Sequence, residues 1–438
     1  MLELFAAKPE TPIYSIPKRD GRKKINTVLM GTWLGVEKTQ GSFLQVRTAG
    51  PDGWVHKSDT RPDRILKVFF IDVGQGDGVL IETPENKRIL VDGGPGRHTY
   101  NYLTKWQYQY LLNHARSTVH IDAVIISHFD ADHYGGLIPI LEDRRFTFGT
   151  IYHNGIARFR TNTKKKKRPT RYDQDLGTTT GRGKNRVLKT QFSTLTELLD
   201  LEQPGEDAFQ RTFRRFAHAC RDAKKEGRLG KLKLLKQGRA IPELTDSADG
   251  LSVETLGPAL SVSSGKPVFK WFSDSSHTRN GHSIVLRLSH HTKSLLLGGD
   301  LNSASERHLL DHHGDTQHFH VDIAKSCHHG SSDFSIAFLQ AVDAAATIIS
   351  SGDNEGHAHP RADAIGAVAK YSSAVLPLIF STELARSVNS EGDILFGMIN
   401  LRSDEQELVL AQMKEAGADK DLWDSYQVPF QPTNHHKA

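Results

Sequence analysis

The sequence predicts a layered α/β protein preceded by a small β-barrel. Two observations carry this. From Lys67 onward, apolar runs of strand length alternate with segments of helix length, whereas before Pro62 there are only short β-like runs separated by turns. The chain has 438 residues, more than one ordinary domain needs, so two or three structural units and a large buried core are expected.

The N-terminal runs are ProIleTyrSerIle at 12–16, ThrValLeuMetGlyThr at 27–32, PheLeuGlnValArg at 43–47 and GlyTrpValHis at 53–56. Their spacing suits a small barrel over residues 1–62, with a β-meander belonging to the main domain as the alternative. GTWLGV, FLQVRT and the closing GWVHKSDT resemble the bacterial SH3-like domains. That resemblance implies a peptide, glycan or protein partner.

The main domain is expected over 63–416. Its first strands read at 67–73, 78–82, 88–92 and 122–128, and later ones at 283–288, 294–300, 322–327 and 346–351. Near-continuous apolar runs of this kind suit strands buried on both faces. Helices are expected at 101–115, 192–201, 303–312, 333–342 and 361–372, covering the sheets. Residues 157–239 interrupt the rhythm as a basic insertion, and 417–438 read as a peripheral tail.

Only two cysteines, Cys220 and Cys327, occur, so no disulfide framework is expected and a reducing, cytoplasmic setting is the plain reading. No apolar run approaches the roughly 18 residues of a membrane-spanning helix, and no signal peptide or membrane insertion is expected. The formal charge is +5, with 56 Lys plus Arg against 51 Asp plus Glu, and the excess is concentrated in the insertion. Lys164, Lys165, Lys166, Lys167, Arg168 and Arg171, with the Arg/Lys set at 211–239, suit a phosphate backbone as partner. A solvated surface is the bland alternative.

The sharpest local feature is SHFDADHYGG at 127–136, where an apolar strand ends and His128, Asp130, Asp132 and His133 follow within six positions. Imidazoles and carboxylates gathered at a strand end repel or lose hydration unless a cation compensates them. Nitrogen and oxygen donors together suit zinc, manganese or iron. Two later strand ends add matching groups: LLLGGD delivers Asp300, and AKSCHHGS delivers His328 and His329. An aspartate after a strand is usually a helix cap, but Asn302 or Ser303 could cap here equally well.

HFDADH, LLLGGD and HHGS resemble the signature motifs of the metallo-β-lactamase fold. With FIDVGQGDGVLIE at 70–82, ILVDGG at 89–94 and GHAHP at 356–360, they are similar to the hydrolase domain of the ComEC-type DNA-uptake competence proteins. The resemblance implies a four-layer αββα sandwich carrying two divalent metal ions, Zn²⁺ or Mn²⁺, on one edge. It implies His128, Asp130, Asp132, His133, Asp300 and His328 as ligands, with Asp300 bridging and His329 the less favoured alternative to His328. Asp130 stands where the family pattern has a second histidine, which makes that site harder and more oxygen-rich, so that manganese becomes a rival to zinc. His282 stands near a position that completes the first metal site and is a candidate ligand or a cleft-lining residue. Asp77 and Asp92 are expected to support the ligands from behind. Asp132 and His359 are the candidate catalytic groups, Asp132 as proton acceptor or ligand and His359 as phosphate contact or proton donor.

The activity expected is hydrolysis by a metal-bound hydroxide, with DNA as the favoured substrate. Acyl substrates (thioester, lactone or lactam) and small phosphodiesters stay open, because the fold does not decide between them. A non-catalytic partner-binding module with a structural metal site is the reading from another class. Neither cysteine recommends itself as nucleophile, since Cys327 reads as a small residue closing a strand.

Overall fold

The computed structural model describes residues 2–113, 117–161, 174–202, 208–246, 248–352, 356–382, 387–388, 394–395, 398–414 and 418–428. Two large sheets form its centre. One has nine strands in the spatial order Leu229–Leu234, Phe146–His153, Val119–Ile126, Arg88–Val91, Val79–Glu82, Leu66–Phe70, Ile399–Ser403, Leu408–Met413 and Trp423–Gln427. The other has six, in the order Leu251–Gly257, Val285–His290, Lys293–Leu297, Ile323–Lys325, Ala346–Ile349 and Leu378–Ser381.

Side-chain alternation decides how they stack, because successive residues of a strand face opposite sides. Val68, Phe70, Val79, Ile81, Ile89, Val91, Ala123 and Ile125 of the first sheet pack with Leu286, Leu288, Leu295, Leu297, Ile323 and Ile348 of the second. The residues between them, Phe69, Leu80, Leu90, Val124 and Ile126, point the other way, against the helices Leu137–Glu142 and Arg211–Lys225. Val285, Leu296 and Ala324 likewise face Leu309 and Phe338 of the helices Ser303–His313 and Ile336–Val342. The result is helices, sheet, sheet, helices, and it explains why the strands read as unbroken apolar runs.

The N-terminal strands differ from expectation. They form one seven-stranded antiparallel sheet, from Lys24–Leu29 at one edge to Thr60–Arg61 at the other, around Ile13, Val28, Leu34, Leu44, Val46 and Val55. Its edge strands do not pair with each other, and among the described residues no sheet closes into a barrel. The stretch read as a peripheral tail supplies the outermost strand of the large sheet, Trp423–Gln427. Ser425 Oγ donates to Glu10 at 2.6 Å, Thr27 Oγ1 to the Lys420 carbonyl at 2.7 Å, and Arg61 pairs with Asp404 at 2.5 Å. Covering the sheet edges in this way protects unpaired backbone groups.

The insertion is also part of the core. Arg211–Lys225 buries Phe213, Phe216, Ala217 and Cys220, and Leu229–Leu234 adds an edge strand parallel to Phe146–His153. Among the described residues, no helix is long and apolar enough to cross a membrane.

His153 ends its strand fully buried, stacked on Phe192 at 4.3 Å between centroids, with Nδ1 accepting the Gly155 N–H at 3.0 Å. Burial lowers its pKa from 6.5 to about 3. The folded state therefore keeps the ring neutral while the unfolded chain protonates it below its ordinary value. Its contribution is complete above pH 6.5 and shrinks as the pH falls toward 3, by up to about 5 kcal/mol. Urea midpoints should drop across this window in the wild type and less steeply in His153→Gln; parallel profiles would refute the assignment.

Candidate metal centre

The strand Val119–Ile126 ends at Ser127 and His128, and Asp130 precedes a one-turn helix, Ala131–Tyr134, that carries Asp132 and His133. The next helix, Leu137–Glu142, starts hard against the ILVDGG turn: a Cβ on Gly136 would lie 2.0 Å from the Gly93 carbonyl oxygen. Glycine is what permits that approach. It seats Asp92 under the loop, where Oδ1 accepts the Ser127 N–H at 2.8 Å and Oδ2 accepts Ser127 Oγ at 2.6 Å and His133 Nδ1 at 2.8 Å. With Nδ1 committed, His133 presents Nε2 outward, the usual way a carboxylate orients a metal-binding imidazole.

Two more strand ends meet this loop. After Lys293–Leu297, the Asp300 N–H donates to Ser283 Oγ at 3.0 Å, and its carboxylate reaches the imidazoles: His133 Nε2 lies 3.2 Å from Oδ1, and His329 Nε2 3.3 Å and His128 Nε2 3.9 Å from Oδ2. After Ile323–Lys325, His329 donates from Nδ1 to the Ser350 carbonyl at 3.0 Å, so its Nε2 also faces inward, 3.7 Å from Asp132 Oδ2. Four sets have donor atoms within 4.8 Å of one another: His128, His133, Asp300; Asp132, His133, His329; Asp77, Asp92, His133; and Asp77, Asp300, His329.

These donors fit a cation. Nε2 of His128, His133 and His329 and Oδ1 of Asp300 are buried without a hydrogen-bond partner. Leaving several such atoms unpaired is costly, and a divalent ion satisfies them together. The field agrees: burial opposes ionisation of Asp300, but His133 and His329 hold its carboxyl well below the usual range. Burial likewise works against the charge on His133, yet Asp300 and Asp92 raise its pKa well above the ordinary value. Asp77 is held low by Lys325, whose ammonium lies 2.5 Å from Oδ2.

Among the described residues, half of the eight non-glycine residues with positive φ flank this site: Asp92 at 57°, His328 at 48°, His329 at 56° and Ala358 at 53°. Strain of this kind persists where surrounding contacts over-determine the backbone, commonly at functional sites.

Of the residues singled out from sequence, the structure brings together His128, Asp132, His133, Asp300, Asp77, Asp92 and His329. Three others are placed differently. Asp130 is gripped by Arg158 Nη1 at 2.5 Å and by Arg279, and belongs to none of the four sets. His328 is half-buried, its Nε2 3.9 Å from Asp300 Oδ2, because the consecutive left-handed residues swing His329 inward in its stead. His282 donates from Nε2 to the Lys270 carbonyl at 2.8 Å between Phe269 and Phe272, and burial lowers its pKa to about 3. His359 sits at the rim, where Gln75 Nε2 lies 3.2 Å from its Nδ1 and its ring is 5.7 Å from that of His328. Lys164, Lys165, Lys166, Lys167, Arg168 and Arg171 lie outside the described residues.

Sequence reading passed over Lys325, Ser127, Ser283, Arg158 and Arg279. A lysine inside the strand Ile323–Lys325 was a usable signal, since a charge buried in an apolar strand needs a partner. The two arginines carried none, because their partner Asp130 is remote in sequence.

Residues 71–211 match the metallo-beta-lactamase superfamily. No curated protein sequence matches the chain. Among solved structures, the short form of human tRNase Z is similar over 66% of this chain and 93% of its own, at 12% identity and a TM-score of 0.29. Zinc-bound PqqB from Methylobacterium extorquens is similar over 72% and 97%, at 10% identity and TM-score 0.35. Igni18, a metallo hydrolase from the archaeon Ignicoccus hospitalis, is similar over 75% and 98%, at 13% identity and TM-score 0.36. The segment that matches the metallo-beta-lactamase superfamily, residues 71–211, holds Asp77, Asp92, His128, Asp132 and His133 of the candidate metal centre.

Proposed function

We propose that this domain is a metal-dependent phosphodiesterase that cleaves DNA. The observation that carries the reading is the ring of buried, unpaired imidazole nitrogens around the Asp300 carboxylate. Zn²⁺ or Mn²⁺ held there by His133, His329, Asp132 and Asp300 would lower the pKa of a water and polarise a phosphoryl oxygen.

The chain's own groups do the rest. Asp132, about one-third exposed, faces the open side and is the group to take the proton of the attacking water. His359, steadied by Gln75 at the rim, is placed to give a proton to the departing oxygen. Arg158 pairs with both Asp130 and Asp175, and in the sequence Arg158 and Asp175 flank the run Lys164–Arg171. That supports a polyanion as substrate.

The test is cleavage of single- and double-stranded DNA with Mn²⁺, Zn²⁺ or chelator, for wild type and Asp132→Ala. Metal-dependent cutting, roughly 100-fold slower or more in the variant, is expected. Equal cutting by both would sink the proposed role, and hydrolysis of a thioester or lactone with DNA untouched would move the assignment to acyl substrates.

A further inference from the structure

We infer that the centre binds one divalent metal ion per chain, not two, and that the guanidinium pair Arg158–Arg279 stands in the place of the second ion as the seat for an anionic oxygen of the substrate. The inference rests on the metallohydrolase reading and deepens it.

The donors divide unevenly. Asp132, His133 and His329 form one donor set at one end, and Asp300 reaches the same His133 and His329 at 3.2 and 3.3 Å, which together would make a complete coordination shell. At the other end, among the described residues, His128 forms a set with the shared Asp300 and His133, while the half-buried His328 stands off with its Nε2 3.9 Å from Asp300 Oδ2. Asp130, the residue that would complete that half and whose Oδ2 lies 3.7 Å from His128 Nε2, has both oxygens engaged by other groups. Oδ1 takes Arg158 Nη1 at 2.5 Å and Arg279 Nε, and with the Asn280 amide turned to satisfy its neighbours, Oδ2 accepts from it at 3.1 Å. The other candidate, His282, spends its Nε2 on the Lys270 carbonyl.

The two guanidiniums are held firmly. Their side chains are 12% and 10% exposed, Arg158 also donates to the Phe129 carbonyl at 3.0 Å, and both approach Asp175 Oδ2, at 3.5 and 3.7 Å. Two carboxylates face two guanidiniums, so this corner is balanced without a metal. With its charge already offset by the two guanidiniums, Asp130 offers a second divalent ion little attraction. A planar fork with unused N–H groups instead suits a phosphate or carboxylate oxygen, which it binds with directional, charge-assisted hydrogen bonds.

The test is metal content by elemental analysis after equilibration with Mn²⁺ or Zn²⁺ and desalting, together with calorimetric titration of the loaded protein with inorganic phosphate. One equivalent per folded chain is expected, with phosphate affinity lowered about tenfold or more in Arg279→Met. In Arg158→Met/Arg279→Met, the release of Asp130 should admit a second equivalent. Two equivalents in the wild type would overturn the inference while leaving the metallohydrolase reading intact, whereas no bound metal at all would overturn that reading itself. Unchanged phosphate affinity in folded Arg279→Met would overturn the role given to the guanidiniums. The wild-type stoichiometry decides the metal count even if the double variant does not fold.

Discussion

Replacing Asp300 with alanine is expected to lower metal affinity by at least about 100-fold and to reduce hydrolysis to background, with the fold retained. Asp300 is 2% exposed, and among the described residues its carboxylate is the one that approaches His128, His133 and His329 together. It also offsets charge on imidazoles that burial would otherwise keep neutral, so its removal changes both the ligand count and the local field. Competition of the protein with a chromophoric chelator measures the affinity, and circular dichroism controls for folding. Retention of near-wild-type affinity by a folded variant would place the metal elsewhere.

The second large effect lies behind the site. Phe213→Ala is expected to cost about 3–5 kcal/mol of stability, the range for a large aromatic removed from a packed core. The Phe213 ring is fully buried at the centre of an aromatic cluster, 4.9 Å from Phe129, 5.0 Å from Phe209 and 6.2 Å from Phe216 and Tyr134. Phe129 lies between His128 and Asp130, so the cavity would open directly under the metal loop. Urea denaturation should show the loss, and metal affinity should fall in the same variant. A change under about 1 kcal/mol would mean that the helix Arg211–Lys225 is peripheral, as its basic composition suggested.

That helix illustrates why the basic insertion misled a linear reading. Its charged residues are paired on the surface, Arg215 with Glu142 and Arg214 with Glu202, while its apolar face completes the outer core of the nine-stranded sheet. Composition averages the two faces, whereas packing separates them. Similarly, the C-terminal strands Ile399–Ser403 and Leu408–Met413 take their place through pairing with a distant partner, Leu66–Phe70, and with each other.

The sequence by itself determined the strands that carry the site and most of the donors. An unbroken apolar run of strand length is a local property, and SHFDADHYGG holds four of its chemical groups within six positions. Only the tertiary structure decided which donors converge. It chose His329 over His328 through two consecutive left-handed residues, turned His282 onto a carbonyl, and surrounded Asp130 with Arg158 and Arg279. The physical reason is that a side chain's direction and partners depend on backbone torsions and on residues far away in sequence, neither of which a motif records. The metal cluster was thus legible as a list of residue types, and its division into a compact donor set and a guanidinium-bound aspartate was a property of the folded chain.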